Sequence, residues 1–88
     1  MAMLTKKVFT KEEAKEIGSQ IGIDWNKYDA EQFRMGLEVE LEHGNINAIT
    51  NVTNDNLIIT GKIAIAHLNE IPDYYTRLKK MEDEAGVD

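Results

Sequence analysis

The chain contains no cysteine, and that single absence excludes several kinds of chemistry. Without cysteine there is no disulfide framework, no thiolate ligand for a metal and no cysteine nucleophile. Small domains without disulfides are typical of a reducing compartment, so we expect a cytoplasmic protein. Residues 1–7 are too short and too polar for a signal peptide, and no apolar run approaches the length that spans a membrane. We therefore expect no membrane association.

Positive charge is also scarce in this chain. Ten lysines and arginines face sixteen aspartates and glutamates, which gives a net charge of −6. The basic residues form no cluster larger than pairs such as Lys6-Lys7 and Lys79-Lys80. A surface that binds phosphates needs several cations on one face, because counterion release supplies most of the non-specific affinity. We therefore expect no nucleic-acid partner.

The sequence does have helical periodicity. With 42% hydrophobic and 30% charged residues, 88 residues are typical of one small globular domain, so we expect a single domain over 1–88 with flexible ends at 1–7 and 86–88. Apolar residues recur at helical spacing in segments 11–21, 30–43 and 56–70. They recur again after Pro72, where the predicted apolar face of the fourth helix consists of Tyr74, Leu78, Met81 and Ala85. This pattern predicts an all-α fold, a compact bundle of about four short helices. The third segment is apolar nearly all round, which places it at the centre.

The predicted helix ends rest on capping patterns. Thr10 and Glu13 have capping-box spacing, as do Asp29 and Gln32. Between the second and third helices lies a loop of about twelve residues, 45–56, whose one charged residue is Asp55. Its asparagines and threonines can close turns on their own backbone. Loops of this length are either functional or internally packed, and the aliphatic residues Ile46, Ile49 and Val52 favour internal packing.

Two mirrored motifs are the strongest candidates for a site. Glu40-x-x-His43 lies on the second predicted helix and His67-x-x-Glu70 on the third. Helical projection directs Glu38 and Glu42 into solvent but leaves Glu40 at the edge of the apolar stripe. His67 falls inside the apolar surface of its helix, where a buried imidazole needs a partner. Gly36 would let the two helices approach closely, so we predict that the motifs meet.

Two interpretations of these four residues stay open. In the first, Glu40, His43, His67 and Glu70 form a metal site, since imidazole and carboxylate ligands suit zinc, iron or manganese. Di-iron bundles use the same three-residue spacing but add two bridging glutamates, for which no clear counterparts exist here. In the second, preferred interpretation, His67 bonds Glu40 and His43 caps the end of its helix, with no cofactor. We identify no catalytic or cofactor-binding residues.

Several segments resemble one family. Residues 33–44 (FRMGLEVELEHG), 50–53 (TNVT), 60–64 (TGKIA) and 67–78 (HLNEIPDYYTRL) are similar to a small family of uncharacterised bacterial and phage proteins, a domain of unknown function. Residues 9–14 and 22–25 resemble the opening of that family. The resemblance spans nearly the whole chain and implies a stand-alone helical domain in bacteria or phage. It implies no activity, cofactor or site residue.

From these observations we expect a small, non-enzymatic helical module that binds another protein or serves as an accessory domain. Its size, its ordinary acidic surface and the lack of a convincing active site favour that function. The alternative is a metal-binding protein that uses the glutamates and histidines of the two motifs.

Overall fold

Four α-helices make up the structure, a computed structural model that describes residues 8–86. They are α1 (Lys11–Ile21), α2 (Ala30–Glu40), α3 (Leu57–Glu70) and α4 (Tyr74–Ala85), and a short 3-10 helix, Leu41–His43, continues α2. The described part of the chain contains no β-strand, so the prediction of an all-α bundle is confirmed. In the same residues no helix has the length and hydropathy needed to cross a membrane. The expectation of flexible ends concerns residues that, Gly86 apart, lie outside the described range.

The helix starts follow the predicted caps, with one informative difference. The Thr10 side chain accepts from the Glu13 amide, and the Glu13 carboxylate accepts from the Thr10 amide, which completes the predicted capping box. Asp29 accepts from the amide of Gln32, but Gln32 does not return the bond to Asp29. The side-chain oxygen of Gln32, Oε1, instead accepts a hydrogen bond from the Tyr75 backbone amide at 3.1 Å. This glutamine therefore ties α2 to the start of α4.

The end of α2 differs from the prediction. The regular helix ends at Glu40, and residues 41–43 form a 3-10 turn rather than a continuation of the α-helix. The carbonyl of His43 accepts from the amides of Val52 (2.5 Å) and Thr53 (3.2 Å), which belong to the following loop. A 3-10 turn is tighter than an α-helical one and commonly closes a helix end. The loop thus determines how the second motif residue of α2 is placed.

The core forms where α2 and α3 pack against each other, and each of these helices also contacts both α1 and α4. The predicted close approach at Gly36 is confirmed. A methyl group built on Gly36 would lie 2.9 Å from Cβ of Ala64 in α3 and 2.6 Å from the Tyr75 ring in α4. The buried apolar side chains are Phe9, Ala14, Phe33, Leu37, Leu41, Ala64, Leu68 and Tyr75.

Internal packing of the loop's aliphatic residues was a wrong prediction. Ile46, Ile49 and Val52 are 62%, 94% and 69% exposed. The buried side chain of this loop is instead Thr53. Because the asparagine and threonine side chains satisfy the loop's own backbone, the loop keeps its shape without burying its aliphatic residues.

Candidate functional site

The glutamate that projection singled out is buried and has a partner. Glu40 lies in the last turn of α2 and is 4% exposed. Its Oε2 accepts a hydrogen bond of 2.8 Å from the Tyr75 hydroxyl of α4. The tyrosine ring reaches this position across Gly36, which has no side chain in the way. A buried carboxylate is expected to need such a donor, because burying a charge without a partner is costly.

His67 of α3 completes the arrangement. Its Nε2 lies 3.5 Å from Oε2 of Glu40, longer than an ordinary hydrogen bond between nitrogen and oxygen. The imidazole stacks on the Tyr74 ring, with centroids 4.4 Å apart and planes within 5°. It meets the Tyr75 ring edge to face at 6.2 Å. We call Glu40, His67, Tyr74 and Tyr75 the Glu40–His67 cluster.

The electrostatics of the cluster favour a neutral phenol. Burial, and then the hydrogen bond to Glu40, raise the pKa of Tyr75 far above its ordinary value. At neutral pH the Tyr75 hydroxyl therefore keeps its proton and acts as a donor, not as a base or nucleophile. Within residues 8–86 every buried side-chain nitrogen and oxygen has a hydrogen-bond partner. Among the four residues of the cluster, the Glu40 carboxylate has one hydrogen bond, from the Tyr75 hydroxyl.

The structure brings together two of the four predicted site residues. Glu40 and His67 meet, whereas His43 is exposed in the 3-10 turn and Glu70 is exposed at the end of α3. In the described part of the chain, no three histidine, aspartate or glutamate side chains are grouped so that they could hold a metal. The proposed ligation of a metal by all four residues stays a prediction.

The sequence interpretation missed Tyr75. Periodicity assigned Tyr74 to the apolar face of α4, but Tyr75 is the tyrosine that is 1% exposed, and Tyr74 is half-buried. The two adjacent tyrosines at the start of α4 indicated that one of them would be buried. Which one points inward depends on how α4 crosses α2 at Gly36. Glu38, predicted to lie in solvent, is half-buried because its Oε2 accepts from the Phe9 amide at 2.9 Å.

A second candidate surface is the loop that follows α2. We define the aliphatic loop tip as Ile46, Ile49 and Val52. The loop that carries it is braced from within: the Asn45 amide donates to Asp55 Oδ1 at 2.8 Å, and the Asn45 side chain accepts from Asn51 at 3.0 Å. Backbone bonds from Val52 and Thr53 to His43 anchor the loop on α2. An ordered polar frame thus holds three aliphatic side chains in water.

Comparison with known proteins identifies one family. Residues 14–84 match the family described as "Protein of unknown function (DUF5661)". The match includes α2, α3, the loop between them and both motifs. No curated protein and no solved structure matches the chain.

Proposed function

Because the chain belongs to the DUF5661 family, whose description states no function, we propose a function from the structure itself. The protein is a small, non-enzymatic helical module that binds another protein. The observation that carries this proposal is the aliphatic loop tip, where Ile46, Ile49 and Val52 are each more than 60% exposed. Loops held by a rigid scaffold are common carriers of binding residues.

Covering the loop tip would be favourable. Fully burying one aliphatic side chain of this size contributes roughly 1.5–3 kcal/mol. Binding normally costs free energy for ordering loops and side chains. Here the hydrogen bonds among Asn45, Asn51 and Asp55 already order the backbone, so the loop tip can bind with little further ordering.

The charge of the loop indicates the kind of surface it would contact. Asp55 is the one charged residue in 45–56, and its Oδ1 is engaged by the Asn45 amide. An uncharged aliphatic tip is suited to an apolar pocket on a protein. It offers no cations for a phosphate backbone. The partner we propose is therefore a protein with an uncharged apolar pocket.

Site-specific photo-crosslinking tests this proposal. A photoreactive amino acid at position 49 should capture a partner from an extract of the source cells, and the same amino acid at the exposed position 16 of α1 should not. The captured protein is then purified and its affinity measured for the wild type and for a triple variant, Ile46→Ser, Ile49→Ser and Val52→Ser. We expect the triple variant to lose binding by about tenfold or more, since it removes the aliphatic anchors.

A matched control separates this effect from a general loss of exposed apolar surface. Val8 and Met81 are 69% and 58% exposed and lie outside the loop, so Val8→Ser with Met81→Ser should leave the affinity unchanged. The triple variant should also keep the wild-type melting temperature. A large loss of stability in it, or equal binding by all three proteins, contradicts the proposal.

A second candidate function, metal binding, is favoured by the 3.5 Å approach of His67 to Glu40. Those two side chains fit zinc or iron in type, and in this proposal His43 and Glu70 would have to move to complete the site. Elemental analysis of tag-free protein and thermal melts with added zinc or iron test it. A bound metal that disappears in His67→Ala supports this function. No metal and no shift in melting temperature contradict it.

We also propose a bacterial or phage origin and a cytoplasmic location. The resemblance of residues 33–44 and 67–78 supports the origin, and the lack of cysteine supports the location. Identification of the captured partner tests both.

A further inference from the structure

A groove of about 480 Å³ lies between α4 on one side and α2 with its 3-10 continuation on the other, and none of the three residues of the aliphatic loop tip lines it. Its apolar part is formed by Met35 and Val39 of α2 and Leu78 of α4, which are half-buried, and by the Tyr75 ring. These residues recur at helical spacing on their two helices. An apolar groove between two helices is a surface into which the apolar face of an amphipathic helix can fit.

The charges that line the groove are mainly acidic. Arg34 is occupied by α2 itself: its guanidinium bonds Glu31 at 2.5 and 2.8 Å and Glu38 at 2.9 Å. The hydrogen bond from Arg34 holds the pKa of Glu31 below its ordinary value. Lys79 is likewise paired within its own helix, with Asp83 at 3.3 Å. The cations of the groove are therefore already engaged.

Two further carboxylates of the groove have no such partner. Glu42 and Glu82 line it, and within residues 8–86 neither of their side-chain carboxylates makes a hydrogen bond or ion pair. The groove therefore combines an apolar floor with uncompensated negative charge at its edge. A basic occupant is complementary to both properties, whereas an acidic one is repelled.

We infer that the α2–α4 groove binds a basic amphipathic helix of a partner protein. The apolar face of that helix covers Met35, Val39 and Leu78, and its lysines or arginines pair with Glu42 and Glu82. The side of the groove formed by α2 and its 3-10 continuation runs from Glu31 to Glu42. At about 1.5 Å per residue in the α-helix and about 2.0 Å in the 3-10 turn, this is roughly 17 Å, or about three helical turns. Met35 can adapt to different apolar partners, because an unbranched thioether repacks readily.

A second copy of this chain is a poorer occupant on charge. Two copies that each carry −6 repel one another, so self-association through an acidic groove is opposed. This inference is independent of the proposed function, because it uses a different surface and a different class of contact.

Designed peptides test the inference. The probe is a helix of about eighteen residues, long enough to form in water, with leucines along one face and lysines beside them. Two counterparts keep the leucines and replace every lysine by glutamate or by glutamine. Fluorescence anisotropy at low salt should give a dissociation constant on the order of 10–100 µM for the lysine peptide, and weaker binding for the glutamine and glutamate peptides in that order.

Charge-reversal variants locate the site. Glu42→Lys with Glu82→Lys should weaken binding of the lysine peptide by about tenfold, since two attractions become repulsions. The matched control is Glu16→Lys with Glu70→Lys, which makes the same change in net charge at exposed positions outside the groove. The control should weaken binding by less than about twofold, because solvent screens charges that are exposed and do not line the groove.

The outcomes separate the alternatives. Amide chemical-shift changes at Met35, Val39 and Leu78 on peptide addition support the inference, and changes confined to the aliphatic loop tip overturn it. It is also overturned if the glutamate peptide binds as well as the lysine peptide, if no peptide binds at 1 mM, or if both double variants lose affinity equally. Analytical ultracentrifugation tests for self-association. If the protein is a dimer and the Glu42→Lys with Glu82→Lys variant is a monomer, the groove binds a second copy of this chain, and the inference is overturned.

Discussion

The hydroxyl of Tyr75 is the hydrogen-bond donor that accompanies the buried carboxylate of Glu40. His67 lies farther from the same oxygen and is one-third exposed, so it can also contact water. At the scale of single residues, the internal cluster therefore depends first on the tyrosine and only second on the histidine. The two sequence motifs had instead indicated His67 as the main partner of Glu40.

Replacement of Tyr75 by phenylalanine tests that order. Tyr75→Phe leaves the ring in place but removes the donor to Glu40, and we expect a loss of about 1–3 kcal/mol in the free energy of unfolding. Urea unfolding measures this loss. Tyr28→Phe is the matched control: the Tyr28 hydroxyl donates to Asn69 near the surface, where water can replace the bond, so about 0.5 kcal/mol or less should be lost. Equal losses in the two variants would contradict the importance of the buried bond.

The raised pKa of Tyr75 also predicts how stability depends on alkaline pH. The unfolded chain releases this proton near pH 10, the ordinary value for tyrosine, whereas the folded chain holds it to higher pH. Folding stability from this group is therefore fully present below pH 10 and is lost as the pH rises above it. Urea unfolding at a series of pH values from 8 to 11 measures the dependence. In Tyr75→Phe the decline above pH 10 should be smaller; an unchanged decline would assign it to other groups.

At the scale of secondary-structure elements, glycines decide how closely the helices pack. Gly36 faces the Ala64 methyl group and the ring of Tyr75, both fixed in the core. A methyl group on Gly61 of α3 would lie 2.6 Å from the movable end of the Ile21 side chain and 3.1 Å from the ring of Phe33. The same substitution should therefore have different effects at the two positions.

We expect Gly36→Ala to destabilise the protein by about 1–3 kcal/mol, because the added methyl group forces α2 away from α3 and α4. Gly61→Ala should lose less stability than Gly36→Ala. The Ile21 side chain can move aside and the Phe33 ring has to yield only slightly, while alanine gains up to about 1 kcal/mol over glycine within a helix. Thermal melts followed by circular dichroism compare the two. If Gly61→Ala is as unstable as Gly36→Ala, the loss of stability comes from the spacing between helices in general and not from the contact of Gly36 with Tyr75.

At the scale of the whole molecule, α2 and α3 each contact every other helix, so no pair of helices has a core of its own. Trp25 reports on the same core, because its ring covers Gly18 of α1 and meets Phe33 of α2 edge to face at 5.6 Å. We therefore predict a single cooperative unfolding transition.

Tryptophan fluorescence and circular dichroism at 222 nm should give the same urea midpoint, as two-state unfolding requires. Tyr75→Phe, which changes a contact at the other end of α2, should shift both midpoints together. A fluorescence transition that precedes the loss of helix would instead show that α1 and the segment with Trp25 separate from the other helices.

Most of the fold could be predicted from the sequence, because its determinants are local. The bounds of α1 follow from the capping box of Thr10 and Glu13 and from Gly22, which takes a left-handed conformation with φ of +90°. Helical projection also separated Glu40 from Glu42, since both positions are defined by the turn of a single helix. The prediction was wrong for Glu38, whose carboxylate is engaged by the amide of Phe9, 29 residues earlier in the chain.

The candidate sites could be predicted only in part. Position within each helix placed Glu40 and His67 toward the core, and their meeting required only that the two helices pack at Gly36. That Tyr75 rather than Tyr74 donates to Glu40 depends on how α4 crosses α2. That His43 lies apart depends on hydrogen bonds from the loop to its carbonyl group.

The sequence by itself determined the four helices, the side-chain caps at Thr10 and Asp29 and the identity of the buried glutamate, because periodicity and capping act within a few residues. Only the tertiary structure decided which of the glutamates and histidines meet, which tyrosine is buried and that Ile46, Ile49 and Val52 are exposed. Those outcomes follow from the packing of separate segments and from competition for hydrogen bonds between them. Of the four residues in the two motifs, only Glu40 and His67 contact each other. The exposed aliphatic side chains lie in the loop between α2 and α3.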